Sequence, residues 1–339
     1  MSQFVNLCFE GGGVKGIAYA GALKVLEERG VMPHIRRVAG TSAGAISAAL
    51  VAMGADWQKV KEIVGGTDFR EFMDHYWLLG LNTHQLLHKY GLFKGKKFSE
   101  WMRDQIQLLT GNADLTFSEL WMLSTSSPQT YRDLSMVGTN LNRQKAVVYN
   151  AVNSPDMPIW EAARISMSIP LFFGAYRDES EGVLVDGGVS WNYPLDMYDR
   201  RDFITDLSRP ELFDEVAYPT TKWDDQVYNK QTLGLRVDNM DEIKAMKHRA
   251  DMPPVKIENI VDYAKAILNF MLDMANKAHL HQNDWHRTVF IDALDVKTCD
   301  FDLSRAKVDE LVQSGEKCAN KYFDWFDAAT PGEALNKIP

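Results

Sequence analysis

Two stretches of this chain decide its fold: residues 4–16, FVNLCFEGGGVKG, and residues 37–53, RVAGTSAGAISAALVAM. Each stretch begins with a short apolar run, passes through glycines and continues into a segment whose apolar residues suit a helix. A strand, a helix, a second strand and a second helix in so few residues predict a right-handed βαβ unit with parallel strands. The four predicted elements are strands at Phe4–Phe9 and Arg37–Ala39 and helices at Gly16–Arg29 and Ala43–Met53.

The rest of the chain continues with strands and helices, without a linker, an internal repeat or a low-complexity tract. We therefore expect an α/β fold: a three-layer α/β/α sandwich with a largely parallel central sheet. One domain is expected over residues 1–339, with a motif-bearing core in 4–195 and C-terminal elements in 230–330 packed on the same core. Residues 194–228 are polar and aromatic and are interpreted as a surface excursion. Further strands are predicted at Tyr131–Val137, Ala146–Tyr149, Val183–Val185, Thr232–Val237 and Thr288–Ile291, and further helices at Ile159–Met167, Ile257–Ala278 and Ser304–Phe326.

A glycine-rich turn follows the first predicted strand. It spans Gly11–Gly16 and reads GGGVKG. Glycines there let the backbone turn tightly and leave consecutive N–H groups beside a helix N-terminus, where negative charge is favoured. The turn is therefore predicted to hold a phosphate or an oxyanion. Lys15 within it either contacts a substrate phosphate or is a solvated lysine at the start of the helix.

Two further motifs place a nucleophile and a carboxylate at strand ends. Gly40–Gly44 reads GTSAG, a G-x-S-x-G pattern between a short strand and a buried helix, as in a nucleophile elbow. Asp186 follows the apolar run Val183–Val185 and precedes Gly187 and Gly188. Ligand sites in open α/β sheets lie at the carboxyl ends of the strands, so all three motifs are expected at the same edge of the sheet.

With these motifs in this order, and with the segment Ala163–Phe173, ARISMSIPLFF, the sequence resembles the patatin-like phospholipases. The resemblance implies a serine acyl hydrolase of lipid esters, of the phospholipase A or lysophospholipase type. It implies Ser42 as nucleophile and Asp186 as the only side-chain base, and an oxyanion hole supplied by the loop Gly11, Gly12 and Gly13. The N–H of Ala43 is a further predicted donor to that hole.

An aspartate base must hold its proton more tightly than an ordinary carboxyl group does. A carboxyl pKa near 3.9 makes a poor base at neutral pH, and burial raises that pKa by disfavouring the charged form. We therefore expect Asp186 to be buried, with a raised pKa. Attack by Ser42 gives an acyl-enzyme that water then hydrolyses, and we expect neither a metal nor a cofactor. The supporting positions in the three motifs are Lys15, Gly16, Gly40, Gly44, Gly187 and Gly188.

A Ser-Asp-His esterase or lipase of the α/β-hydrolase type is one alternative. The order Ser42, Asp186 and then His279, His281 or His286 satisfies that arrangement. That fold needs several strands before its elbow, however, and only one clear strand is predicted before the strand that leads into the serine.

A dinucleotide-binding oxidoreductase is a second alternative, because Gly11, Gly13 and Gly16 satisfy G-x-G-x-x-G after a strand. Such a site needs an acidic residue at the end of the second strand, where this chain has Gly40-Thr41-Ser42 instead. A non-enzymatic binding module is disfavoured, because nucleophile, base and oxyanion loop are all present.

A phospholipid or another lipid ester as substrate is supported by the resemblance and by local side chains. Lys94, Lys96 and Lys97 either face lipid headgroups or form a solvated face. The stripe of apolar residues in Ile257–Ala278 is interpreted as core-facing rather than as a membrane anchor. Long acyl chains need an apolar cleft, and seven aromatic residues either line it or pack in the core. These are Phe69, Phe72, Tyr76, Trp77, Phe93, Phe98 and Trp101.

Composition and charge limit the partners. A net charge of −9 argues against non-specific binding of nucleic acid and gives no overall attraction to an anionic membrane. Three separated cysteines fit a reducing compartment. The start lacks a basic signal region, and the longest apolar run, Ala43–Ala55, is shorter than the roughly 18 residues of a membrane span. We expect a cytoplasmic protein that contacts membranes transiently and peripherally; the sequence identifies neither an activating ligand or partner nor an oligomeric state.

Overall fold

A mostly parallel sheet forms the centre of the protein, as its computed structural model shows. The structure describes residues 3–72, 91–215, 225–248, 256–258, 282–298 and 300–328, together with positions 262, 263, 266, 267, 270, 271 and 274. In chain order the strands are β1 (Asn6–Phe9), β2 (Arg37–Thr41), β3 (Gly91–Phe93), β4 (Asp133–Asn140), β5 (Lys145–Tyr149), β6 (Leu171–Phe173), β7 (Tyr176–Asp178), β8 (Gly182–Asp186), β9 (Phe213–Glu215), β10 (Val227–Asn229), β11 (Thr232–Asp238) and β12 (Thr288–Asp292).

The strand order places the first and the last described strands of the chain in one sheet. Within the described residues the order is β12, β11, β1, β2, β4, β8, β7, and β5 also pairs with β4. β12, β11, β1, β2 and β4 are parallel to one another, whereas β5 and β8 run antiparallel to β4. β3 pairs with β6, and β9 with β10, in two small separate sheets. The predicted α/β fold with a largely parallel central sheet is confirmed.

The longer helices pack on one face of this sheet. Alternate strand residues point to opposite faces, and Leu7 and Phe9 of β1 share one apolar cluster with residues of these helices. The predicted helix at Gly16–Arg29 begins as a 3₁₀ turn, Gly13–Ala18, before its α-helical part. The α-helices are α1 (Tyr19–Glu28), α2 (Ala43–Ala52), α3 (Trp57–Gly66), α4 (Lys96–Thr110), α5 (Phe117–Ser126), α6 (Ile159–Ser166), α7 (Gly188–Trp191), α8 (Met240–His248) and α9 (Arg305–Ala328).

The opposite face is covered mainly by short elements that follow β8. Cys8, Ala39 and Val137, which alternate with the residues of the first face, pack against a buried group in α7 and the 3₁₀ turn after it. The interpretation of residues 194–228 as a surface excursion is therefore wrong at its start, because this segment supplies the second apolar layer. The covering side chains are Trp191, Tyr193, Leu195, Met197 and Tyr198.

The predicted core-facing stripe of Ile257–Ala278 is not supported where the structure describes it. Ile257 and Ile267, two members of the stripe, are 51% and 37% exposed. The remainder of this segment lies largely outside the described residues. Among the helices that the structure does describe, none has the length and apolar character needed to cross a membrane.

Candidate active site

A strained turn at Ser42 joins β2 to α2. Ser42 has φ 54° and ψ −127°, a backbone conformation that a residue with a side chain rarely adopts. A Cβ on Gly40 would lie 2.2 Å from the carbonyl oxygen of Gly44, and one on Gly44 would lie 2.5 Å from that of Glu10. The two glycines of GTSAG are therefore required by close backbone contacts, and the turn presents Ser42 at the carboxyl end of β2.

The Ser42 hydroxyl is hydrogen bonded directly to a buried carboxyl group. Ser42 Oγ donates to Asp186 Oδ2 at 2.7 Å, and the N–H of Gly188 donates to Asp186 Oδ1 at 2.7 Å. Ser42 and Asp186 are only 5% and 3% exposed. Burial raises the pKa of Asp186 from an ordinary 3.8 to about 7, although the two hydrogen bonds oppose that rise. The raised pKa is as expected, and it would suit a base that works at neutral pH.

The strand that ends at Asp186 runs antiparallel to its neighbour in the sheet. β2 and β4 are parallel with Thr41 opposite Val137, and β4 then continues through Gly138–Asn140. β8 pairs antiparallel with this extension and ends with Asp186 opposite Gly138. A strand ending at Asp186 was predicted without a direction, and β8 runs antiparallel to β4. The expected location of Asp186 beside the serine motif is right, because β4 extends beyond the end of β2 and gives β8 a partner there.

Three consecutive residues, beginning with the last residue of α6, hold both members of this pair. The N–H of Ser42 donates to Ser166 Oγ at 2.8 Å, and Met167 Sδ lies 3.6 Å from Ser42 Oγ. The N–H of Asp186 donates to the carbonyl oxygen of Ser168 at 2.9 Å. Sequence reasoning assigned these residues no role. The available signal was the run SMS inside the segment ARISMSIPLFF, where small polar residues interrupt an apolar stretch.

The glycine loop lies against the same site, with one correction to its predicted donors. The N–H of Gly11 donates to the carbonyl oxygen of Asn192 at 3.0 Å and is therefore already used. In the described part of the chain, no hydrogen bond occupies the N–H groups of Gly12, Gly13 or Ala43. Gly12 and Gly13 line the cavity at Ser42. These two glycines are consequently the main N–H donors of the loop available to a bound oxyanion.

The cavity beside Ser42 is small. Its volume is about 10 Å³, a size that holds about one water molecule. Thr298, from the segment after β12, closes one side, and its carbonyl oxygen accepts the N–H of Val14. Asn192 also lines the cavity. In this form of the protein the site excludes bulk water, which explains the strong effect of burial on Asp186.

The supporting motif residues have definite structural roles. Lys15 is 8% exposed, so its interpretation as a solvated lysine is wrong; its charge lies close enough to lower the pKa of buried Glu10. A Cβ on Gly187 would lie 2.3 Å from the carbonyl oxygen of Val137, which explains the glycine after Asp186. A Cβ on Gly16 would meet the ring of Tyr19 at 3.4 Å, an ordinary contact distance.

The one histidine of the alternative triad that the structure describes is remote from Ser42. His286 lies two residues before the start of β12, which is parallel to β2 through β11 and β1. It therefore lies at the amino edge of the sheet, whereas Ser42 lies at the carboxyl edge. There its ring stacks on Trp325, with the ring centroids 5.8 Å apart. His279 and His281 are outside the described residues.

The aromatic residues and lysines considered for lipid contact divide between core and surface. Phe72 and Phe98 are buried, and Phe69 and Trp101 pack against the same cluster, which confirms core packing for these four. Tyr76, Trp77 and the side chain of Phe93 lie outside the described residues. The three lysines at the start of α4 are exposed, namely Lys94, Lys96 and Lys97.

Comparison with known proteins gives a family and several relatives. The family model "Patatin-like phospholipase" matches residues 7–199. "Uncharacterized protein YqhO" of Bacillus subtilis (strain 168) is 29% identical over 330 residues, which cover 93% of this chain and 96% of that protein. "Probable lipid hydrolase 463L" of Invertebrate iridescent virus 6 is 24% identical over 199 residues, 57% of this chain and 63% of that protein.

Two solved structures share the fold. VipD from Legionella pneumophila has a TM-score of 0.59 at 16% identity, over 95% of this chain and 67% of VipD. The type III effector protein ExoU has a TM-score of 0.51 at 18% identity, over 96% of this chain and 54% of ExoU, so this chain spans about half of ExoU. The family model covers more than half of the chain and all three motifs. The chain therefore belongs to the patatin-like phospholipase family and is a hydrolase of lipid ester bonds.

Proposed function

We propose that this protein is a serine acyl hydrolase of the phospholipase A or lysophospholipase type, working through a Ser42–Asp186 dyad. The observation that carries the proposal is the 2.7 Å hydrogen bond from Ser42 Oγ to a buried carboxyl group. The family, and the name of the similar iridovirus protein, "Probable lipid hydrolase 463L", support a lipid ester as substrate. The proposal treats residues 1–339 as one catalytic domain, since β11 and β12 extend the sheet that carries the motifs.

The first half of the reaction transfers the acyl group to Ser42. As Ser42 Oγ attacks the ester carbonyl carbon, Asp186 Oδ2 takes the hydroxyl proton. A pKa of about 7 leaves much of this carboxyl group ionised at neutral pH and still basic. The N–H groups of Gly12 and Gly13, with that of Ala43, stabilise the negative oxygen. Loss of one such donor typically costs about 3–4 kcal/mol in the barrier. Asp186 then gives its proton to the leaving alcohol, which breaks the bond between the alcohol oxygen and the carbonyl carbon and completes the first half.

The second half releases the acid. Water then attacks the acyl-enzyme, and Asp186 takes one proton from it. Collapse of the intermediate returns that proton to Ser42 Oγ. One carboxyl group thus performs every proton transfer at the site, without help from a histidine.

The substrate is taken from a lipid surface by transient contact. Lys94, at the start of the exposed lysine group, is bonded through its carbonyl oxygen to Arg164 at 2.9 Å. Arg164 belongs to α6, the helix that ends at Ser166 beside the dyad. The lysines therefore lie on a segment joined through Arg164 to the helix that ends beside the dyad, and we infer that they approach the headgroup of a phospholipid whose ester is bound.

Release of free fatty acid from phospholipid vesicles tests the proposal. We expect release by the wild type, none above background with Ser42→Ala or Asp186→Asn, and unchanged release with His286→Ala. A fluorophosphonate probe should label the wild type but not Ser42→Ala. Loss of release in a folded His286→Ala variant contradicts the dyad. If the wild type cleaves only soluble short-chain esters, the dyad stands and the phospholipid substrate is wrong.

A further inference from the structure

The side chain of Asn192 has one buried oxygen that nothing in the described structure pairs. Asn192 Nδ2 donates to the carbonyl oxygen of Gly11 at 3.1 Å and to Glu10 Oε1 at 3.4 Å. These two acceptors fix the orientation of the amide, because the reverse orientation places oxygen against oxygen. Asn192 Oδ1 is then left without a hydrogen-bond partner among the described residues, although Asn192 is 2% exposed.

This oxygen lies at the catalytic cavity. Asn192 lines that cavity together with Ser42 and Asp186. A Cβ placed on Gly11 would lie 2.3 Å from Asn192 Oδ1 and 3.1 Å from Ser42 Cβ, so the oxygen and the nucleophile are on the same side of Gly11. Buried acceptors are nearly always paired. An unpaired acceptor beside a nucleophile is therefore suited to bind a hydrogen-bond donor that enters the site during the reaction.

We propose that Asn192 is a further catalytic residue whose Oδ1 accepts a hydrogen bond from the water that hydrolyses the acyl-enzyme. This inference rests on the proposed function of Ser42 and Asp186. The size of the cavity favours water over a larger donor, since about 10 Å³ is room for a single water molecule. Asp186 is then the acceptor for one water proton and Asn192 Oδ1 the acceptor for the other.

The step balances with these groups alone. The water oxygen attacks the acyl carbonyl carbon, one of its protons passes to Asp186 Oδ2, and its second hydrogen stays hydrogen bonded to Asn192 Oδ1. Collapse of the tetrahedral intermediate breaks the bond between the carbonyl carbon and Ser42 Oγ, and Asp186 returns the proton to Oγ. The carboxylic acid leaves with the second hydrogen of the water.

Separate measurement of the acylation and deacylation rates tests this role. A soluble p-nitrophenyl ester of a medium-chain acid gives acylation as a burst of nitrophenol and deacylation as the steady rate. With Asn192→Ala we expect a deacylation rate at least tenfold below wild type, an acylation rate within about threefold of it, and an acyl-enzyme detectable by mass spectrometry. Asn192→Ser, which keeps a donor near Gly11 but withdraws the acceptor from the cavity, should show the same selective loss.

A matched control separates this role from simple support of the loop. Val237 Cγ1 packs against Gly12, so Val237→Ala loosens the oxyanion loop without removing the acceptor. Both steps use that loop, so this variant should slow both by one common factor. If both Asn192 variants also slow the two steps equally, or leave deacylation unchanged, the inference is wrong. Release of nitrophenol by the wild type that persists in Ser42→Ala points instead to failure of the dyad itself.

Discussion

Asp186 Oδ2 lies 2.7 Å from Ser42 Oγ, although the strand that ends at Asp186 runs against the strand that leads to Ser42. Both residues are therefore held at strand ends rather than on free loops. The carbonyl oxygen of Asp186 also accepts a hydrogen bond from Thr139 Oγ1 at 2.9 Å, on the extension of β4. The pair is consequently preorganised, which is what a base acting directly on a serine requires.

The pH dependence of kcat/KM should report Asp186. In the proposed dyad Asp186 is a base with a pKa of about 7, so kcat/KM should rise with pH through a midpoint near 7 and then level off. Histidine titrates in the same region, so the midpoint alone does not identify the base. A less polar solvent mixture raises a carboxyl pKa but not an imidazolium pKa. We expect the midpoint to move upward on addition of an organic cosolvent; a midpoint that stays or falls identifies an imidazole instead.

The stability of Asp186→Asn relative to wild type should increase with pH. Replacement of a paired surface aspartate has the opposite pH dependence. The folded state raises the pKa of Asp186 above the unfolded value, so the folded protein holds the proton more tightly. The associated stability is present at low pH and is lost as pH rises from about 4 through about 7. Asparagine cannot ionise, so its advantage over wild type should grow by about 3 kcal/mol between pH 5 and pH 8.

Urea unfolding of wild type and Asp186→Asn at both pH values checks this result. The comparison cancels every other group that titrates, because all of them are shared by the two proteins. A difference in unfolding free energy that is the same at pH 5 and pH 8 contradicts the raised pKa. The same result would also remove the physical reason for Asp186 as a neutral-pH base.

Ser166→Ala should lower kcat in a protein that still folds, because the substitution shifts the nucleophile. Ser166 Oγ accepts the N–H of Ser42 and donates to the carbonyl oxygen of Val137 at 2.7 Å. Its removal leaves the N–H of a strained residue unpaired and buried, at a cost of about 1–3 kcal/mol. A small shift of the nucleophile typically costs up to about 100-fold in rate. We therefore expect kcat to fall about 10- to 100-fold, with KM on a soluble ester little changed.

Ser47→Ala is the matched control for that measurement. Ser47 is equally buried on α2, and its hydroxyl bonds only to the carbonyl oxygen of Ala43, at 3.4 Å, among the described residues. Thermal unfolding should show both variants folded, and kcat should be near wild type for Ser47→Ala. Equal losses of kcat in the two variants would mean that Ser166 supports the fold rather than the position of Ser42.

Local sequence patterns predicted the N-terminal strands and helices of this protein well. The apolar run before Gly11 and the apolar segment after Ser42 correspond to β1 and α2, because each is long enough to bury itself and ends at a glycine turn. The strand before Asp186 was also predicted, but its direction was not. Direction depends on which strand lies alongside, and the extension of β4 that receives β8 is a tertiary feature with no local signal.

Buried polar residues were the main omission. Ser166 and Asn192 are 0% and 2% exposed and contact the site through a few hydrogen bonds, which leave no periodic trace in a sequence. Pro194 opens a segment that appeared polar, yet its apolar residues cover the second face of the sheet. The donor role expected of Gly11 failed for a related reason, since its N–H is taken by a residue far along the chain.

Two glycine-to-alanine variants should separate backbone strain from damage to the oxyanion loop. Gly13 and Gly30 both have positive φ, 57° and 68°, so alanine at either position costs on the order of 1–2 kcal/mol. A Cβ on Gly30 meets nothing within 4 Å, whereas one on Gly13 lies 2.0 Å from the carbonyl oxygen of Thr298. Gly13→Ala must therefore displace the loop or the segment after β12. We expect similar acylation rates for Gly30→Ala and wild type, and a loss of roughly 100-fold or more for Gly13→Ala, as on removal of an oxyanion donor. Stopped-flow acylation with a soluble ester measures both, and a Gly13→Ala variant with wild-type acylation would show that this loop does not stabilise the transition state.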